Sequence, residues 1–208
     1  VKGKNPFQDV RVRKAFYQSV NMDLIQKKIM RGKSRNAALM VAPEIPGFVE
    51  ADNKRFAYDP AASKKLLAEA GYPDGFRFAM NCPNDRYVND EEICQAVAAM
   101  ASKVGFKPKL TTESKSIHFK KAREGKTDMF MLGWASLPMM DAFSPISALL
   151  HTPGGKYGPW NPGGYSNARV DALTASSVSE LDETKRRAQM AEALKIANEI
   201  GYPILIKA

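Results

Sequence analysis

The chain has 208 residues, 44% of them hydrophobic and 25% charged, with a net charge of +9. That make-up belongs to a globular protein large enough to bury a core, and it excludes a disordered or low-complexity chain. No uninterrupted apolar run is longer than that of residues 96–101, which is far short of the roughly 20 residues a membrane-spanning helix needs. Ten of the Lys and Arg residues fall in positions 1–36 against only Asp9 and Asp23, while the remaining 172 residues carry 21 basic and 20 acidic groups. A surplus held in one helical stretch reads as a solvated face, or a face towards an absent acidic partner, and not as a nucleic-acid groove lined with aromatics. The chain starts at Val1 with no leader-like apolar region and stops on Tyr202-Pro203-Ile204-Leu205-Ile206, so its ends read as cuts from something longer.

Asp9 is placed to cap a first helix, in which Val12, Ala15, Phe16, Ser19 and Val20 recur at helical spacing. Asn21 interrupts it, Asp23 recaps, and the pattern runs on through Leu24, Ile25 and Ile29 to a stop at Gly32. Residues 37–57, with Pro43, Pro46 and Gly47, read as a long irregular connection of the kind that is functional or packed against another domain. Asp59-Pro60 opens the next helix and Gly71 closes it. Residues 76–80, 107–112 and 129–132 are expected as strands, separated by helices over 91–104 and 116–124. That alternation predicts a parallel three-stranded core with right-handed crossovers. A Gly- and Pro-rich loop fills 152–165, and two last helices follow, capped by Asn167 and Asp182. The fold class is α/β, a small mostly parallel sheet flanked by helices, and residues 1–208 are taken as one lobe.

Catalytic patterns are missing. His118 and His151 are the only histidines and lack the spacing of a metal pair, and His118 is expected on the surface of its helix. Gly125-Lys126-Thr127 imitates the end of a phosphate loop, but Lys120 stands where the first Gly belongs and the element order is inverted. The glycines around 154–164 fit no dinucleotide fingerprint either, and no metal or cofactor is expected. In open parallel sheets ligands gather beyond the carboxyl ends of the strands. Those ends offer Asn84, Asp85, Arg86 and Tyr87, then Thr112 and Glu113, then Gly133, Trp134 and Asp141. Arg86 has the geometry to clamp a carboxylate and Trp134 to stack on an organic ligand. An α/β enzyme fragment acting on a carboxylated substrate, with Glu113 as base, is the competing reading. Cys82 and Cys94 fit either one disulfide or two buried thiols.

Three stretches in order carry a resemblance. They are Asn5-Pro6-Phe7-Gln8-Asp9-Val10-Arg11-Val12-Arg13, then Tyr58-Asp59-Pro60 with Leu66-Leu67-Ala68-Glu69-Ala70-Gly71-Tyr72-Pro73-Asp74-Gly75-Phe76, and Tyr165-Ser166-Asn167-Ala168-Arg169-Val170-Asp171-Ala172-Leu173. Together they resemble the family 5 solute-binding proteins of bacterial ABC importers, the dipeptide-, oligopeptide- and nickel-binding group. The resemblance implies one lobe of a type II periplasmic-binding-protein fold, periplasmic or lipid-anchored, whose N-terminal partner lobe lies outside this chain. It implies no catalysis, a peptide or other small organic ligand in an interlobe cleft, and an ABC permease as partner. Gly133-Trp134 is similar to the family's pair at the ligand cleft, and the loop of Asn84 and Arg86 resembles the one that meets a ligand carboxylate. Peptide binders place an Asp three residues after that Trp to hold the ligand's α-ammonium. Leu137 stands there instead, with Asp141 four residues further on, so the ligand is expected to lack a free ammonium at that spot.

Overall fold

A computed structural model describes residues 5–136 and 140–199 and the backbone of residues 206–207. The described residues fall into two compact units: 5–36 with 56–133 and 206–207, and 37–55 with 134–136 and 140–199.

Unit 1 is built on a parallel sheet. In chain order its elements are α1 (Val10–Ser19), α2 (Met22–Leu24, continued by a π turn over Ile25–Ile29), β1 (Arg35–Asn36), α3 (Pro60–Glu69), β2 (Arg77–Pro83), α4 (Asp90–Ser102), β3 (Lys107–Glu113), α5 (Lys115–Arg123), β4 (Met129–Phe130) and β5 (Ile206–Lys207). The sheet order is β3-β2-β4, all parallel, with β2 in the middle, and β1 pairs antiparallel with β5. The expected three-stranded parallel core is therefore present. Asp9 caps α1 through the Arg11 N–H at 2.8 Å, and Asp59 caps α3 through Ala62 N–H at 2.9 Å. Five phenylalanines, Phe7, Phe16, Phe76, Phe78 and Phe106, interlock mostly edge to face, with Phe106 fully buried among them. Such pairs add about 0.5–1.5 kcal/mol each beyond the area they bury.

Three expectations change. The cap of α2 is Asn21, whose side chain accepts the Leu24 N–H at 2.9 Å, while Asp23 instead accepts from Asn36. Asn21 wins because it lies three residues before a free helical N–H. The third strand pairs over two residues only, prolonged by one bond from Met131 N–H to the Asn81 carbonyl. His118 is fully buried, not superficial. It shares the inner face of α5 with Ala122, one turn on, while Ile117 takes the exposed face.

In unit 2, α6 (Phe143–Pro145, continued by a π turn over Ile146–Leu150) precedes a hairpin of α7 (Ala168–Ser179) and α8 (Glu183–Glu199). Asn167 caps α7 through Arg169 and Val170 N–H groups, and Asp182 accepts from Lys185 N–H at 3.1 Å. Val170, Leu173, Met190, Ala193, Leu194 and Ala197 form the buried seam. The irregular stretch 37–55 is tied down: Asn198 donates to the Asp52 and Lys54 carbonyls, and Gly47, at φ +101°, lets the chain pass against Ala142 and Met190. Residues 202–205 and Leu137 lie outside the described residues.

Gly75 is the most constrained point of unit 1. It has φ +68°, and a Cβ there would sit 1.6 Å from the Gly105 carbonyl oxygen. Gly75→Ala is expected to cost about 3 kcal/mol or more, through the backbone shift and the left-handed conformation together, read as a lowered denaturation midpoint in urea.

Candidate functional site

The carboxyl ends of the sheet strands in unit 1 carry a tightly anchored loop. After Cys82-Pro83 the chain turns through Asn84, Asp85, Arg86, Tyr87 and Val88, and all but Tyr87 of these five loop residues are exposed. Four attachments hold it. The Asn84 N–H donates to the Glu113 carbonyl at 3.1 Å, extending the β2–β3 ladder. The exposed Asp85 carboxylate accepts the Lys115 N–H at 2.6 Å, at the first residue of α5. The buried Asp90 carboxylate accepts from both the Arg86 and Tyr87 N–H groups, each at 2.9 Å. Cys82 and Cys94 are joined in a disulfide, with α-carbons 6.5 Å apart, so of the two forms open from the sequence the bridged one is present.

The anchors leave the Arg86 guanidinium on the exposed side, over the Tyr87 ring at 5.1 Å. Tyr87 reaches across to the end of β4: its hydroxyl donates to the Gly133 carbonyl at 3.3 Å. The ring lies so close that a Cβ at position 133 would come within 2.5 Å of it. A side chain at position 133 would have to displace the Tyr87 ring, while no left-handed backbone angle calls for glycine there. Arg86, Tyr87 and Gly133 form one continuous surface, with Asn84 on the same loop.

Glu113 at the end of β3 is not free to act as a base. Its carboxylate accepts from Asn81 at 2.7 Å and pairs with Lys121 at 2.7 Å. Burial pushes its pKa up, but the Lys121 and Asn81 hydrogen bonds outweigh that and hold the carboxyl below the usual range. Among the described residues no group of three His, Cys, Asp or Glu side chains is placed to hold a metal ion.

In unit 2, Trp134 is half buried; its Nε1–H donates to the Ser144 hydroxyl at 3.1 Å and its ring meets Trp160 edge to face at 6.4 Å. Asp141 is buried with both oxygens engaged, one accepting the Phe143 N–H at 2.9 Å and the other 2.6 Å from Arg186. It braces the start of α6 to α8. The sequence reading missed Asp90 as an anchor. Its signal was there: an acidic residue three and four positions after Tyr87 and Arg86, at the start of a helix.

The disulfide spans 12 residues of sequence and brackets the Arg86 loop. Replacing both cysteines by serine is expected to lower stability by about 2–3 kcal/mol, measured by urea denaturation, and to speed amide exchange of Arg86 and Tyr87 more than that of α1.

Comparison with known proteins agrees with this architecture. The chain is 32% identical over 134 residues to the dipeptide-binding protein of Escherichia coli K12, covering 63% of this chain and 25% of that one. It is 28% identical over 200 residues to the glutathione-binding protein GsiB of Salmonella choleraesuis, covering 93% and 38%. The chain thus spans a quarter to two fifths of the length of these relatives. Its fold superposes on the periplasmic binding protein DppA of Helicobacter pylori, solved with the peptide STSA, with a TM-score of 0.86, 22% identity, and coverage of 98% of this chain and 40% of that one. Residues 2–157 match the family model described as bacterial extracellular solute-binding proteins, family 5 Middle, and the chain belongs to that family of extracytoplasmic solute-binding proteins.

Proposed function

We propose that this chain supplies ligand-contacting surface in the solute-binding component of a bacterial ABC importer. The component captures a small carboxylate-bearing solute, such as a peptide or an organic acid, and delivers it to a membrane permease. The observation that carries this reading is the Arg86 loop. A guanidinium stands exposed at the carboxyl edge of a parallel sheet, over an aromatic ring, on a loop whose backbone is held by a buried carboxylate and a disulfide. Preorganisation of that kind lowers the cost of ordering a binding loop, and a planar guanidinium suits a carboxylate better than an ammonium does.

Asn84 on the same loop and Gly133 beside Tyr87 extend the surface in unit 1; Trp134 belongs to unit 2 and is taken by itself as an aromatic ligand contact. With the oxygens of Asp141 taken by Arg186 and Phe143, and leucine at position 137, an α-ammonium partner is not on offer from this segment, which favours a ligand without a free ammonium there. The relatives named above bind dipeptides and glutathione by their names, both of which carry carboxylates. The component works without catalysis, in one lobe of a two-lobed protein, by closure of the interlobe cleft around the ligand. An extracytoplasmic setting, periplasmic or lipid-anchored, suits the disulfide.

The test is mass spectrometry of solute retained by the full-length protein, followed by calorimetry with that solute. Arg86→Ala is expected to weaken binding about 10- to 100-fold, the range for removing one hydrogen bond to a charged group. Unchanged affinity in the variant, or turnover of the solute, would overturn the reading.

A further inference from the structure

One buried titratable group in unit 1 has no part in the binding reading. His118 has no solvent exposure, and both of its ring nitrogens face oxygen: Nδ1 lies 2.5 Å from Asn81 Oδ1 and Nε2 lies 2.8 Å from the Met131 carbonyl. The Met131 oxygen accepts only. The orientation of the Asn81 amide is set from its other end, because its nitrogen donates to Glu113. Glu113 is held ionised by Lys121, and an ionised carboxylate is also an acceptor only. Asn81 must therefore turn its oxygen to His118. A neutral imidazole has one N–H and can satisfy one of these two acceptors; the imidazolium satisfies both.

We propose that His118 is a proton-controlled positioning residue: when protonated it clamps the Met131 carbonyl, and when neutral it lets that carbonyl go. Deprotonation gives up the hydrogen bond to Met131 and keeps the one to Asn81. The Asn81 oxygen is polarised by the carboxylate behind it, so Nδ1 keeps the remaining proton. Chain geometry gives this release a consequence. Strand β4 pairs over two residues, and after the Met131 N–H bond the His118 contact is the next hold before Tyr87 meets Gly133. The segment 131–133 is thus gripped more firmly on acidification. Its relevance to ligand rests on the binding reading above, since Gly133 belongs to that surface.

The charged groups facing His118 are Glu113 on β3 and Asp90 at the start of α4, with Lys121 of its own helix beyond Glu113. Burial pushes the imidazole below its ordinary value, and the Met131 carbonyl, Glu113 and Asp90 pull the other way without cancelling it. A histidine whose folded value is depressed favours the native state fully above the unfolded value, and that contribution is lost as pH falls through the folded one. Global stability and the local grip on 131–133 therefore move in opposite directions as pH drops.

The experiment uses the full-length protein, ligand-free, with histidines labelled at Cε1 and the His118 signal assigned by its disappearance in His118→Gln. The ring is expected to titrate below the ordinary histidine value. Through that titration, hydrogen exchange over residues 129–136, relative to His118→Gln at each pH, is expected to slow about tenfold, the worth of one backbone-carbonyl hydrogen bond. Glu113→Gln frees Asn81 to turn and donate to a neutral His118, so it should abolish that pH dependence; it also serves as reference if His118→Gln does not fold. A ring signal flat from pH 4.5 to 8, or an exchange ratio constant across the titration, overturns the proposal. No ligand enters the measurement, so it fails or stands separately from the binding reading.

Discussion

Strand β2 is bonded on both edges, to β3 over the register from Arg77↔Lys107 to Pro83↔Glu113 and to β4 over Met80↔Met129 and Asn81↔Phe130. Because all three strands run the same way, their carboxyl ends open on one edge, and every connection between them must cross back over a face. The crossovers α4 and α5 cover the sheet, and their first turns lie at that same carboxyl edge. Helix starts at a strand edge attract acidic side chains. Asp90 sits in the first turn of α4, and Asp85 meets the first N–H of α5. Each ties the Arg86 loop to a helix that the sheet has already placed.

The same arrangement decides what the polar interior must do. Asn81 points from the central strand into a buried space, where an unpaired amide would cost about 1–3 kcal/mol. It is satisfied on both sides, by Glu113 and by His118. The chain from Lys121 through Glu113 and Asn81 to His118 and Met131 ties β3, β2, α5 and the end of β4 by directional bonds, whereas the Phe7, Phe16, Phe76, Phe78 and Phe106 cluster is held by area and ring contact alone. The aromatic cluster supplies cohesion, and the polar chain supplies orientation.

Unit 2 reaches order by another route. Its irregular stretches are pinned one by one to a helical hairpin: Asp141 to Arg186, Asp52 to Lys195, and the Asp52 and Lys54 carbonyls to Asn198. Removing Arg186 is costly because it strands the buried Asp141 charge in a poor solvent. The start of α6 is therefore held by chemistry residing in α8.

What the amino-acid sequence determined by itself was local. The caps at Asp9, Asp59 and Asn167, the Pro60 helix start and the alternation of strand and helix through residues 77–130 all follow from residues within one turn or one pleat of each other, and each of them recurs in the structure. The Arg86 and Gly133 positions were legible because the ends of parallel strands are predictable once the strands are. The tertiary structure decided the rest. Whether Cys82 and Cys94 met depended on how α4 lay on β2, and whether His118 faced water or the sheet depended on which side of α5 the strands covered. The partner of Asp141 came from Arg186, 45 residues along the chain. Such pairings carry no local signal, because a side chain's worth in a buried network is set by the dielectric and the partners that packing brings to it, and neither exists until the chain has folded.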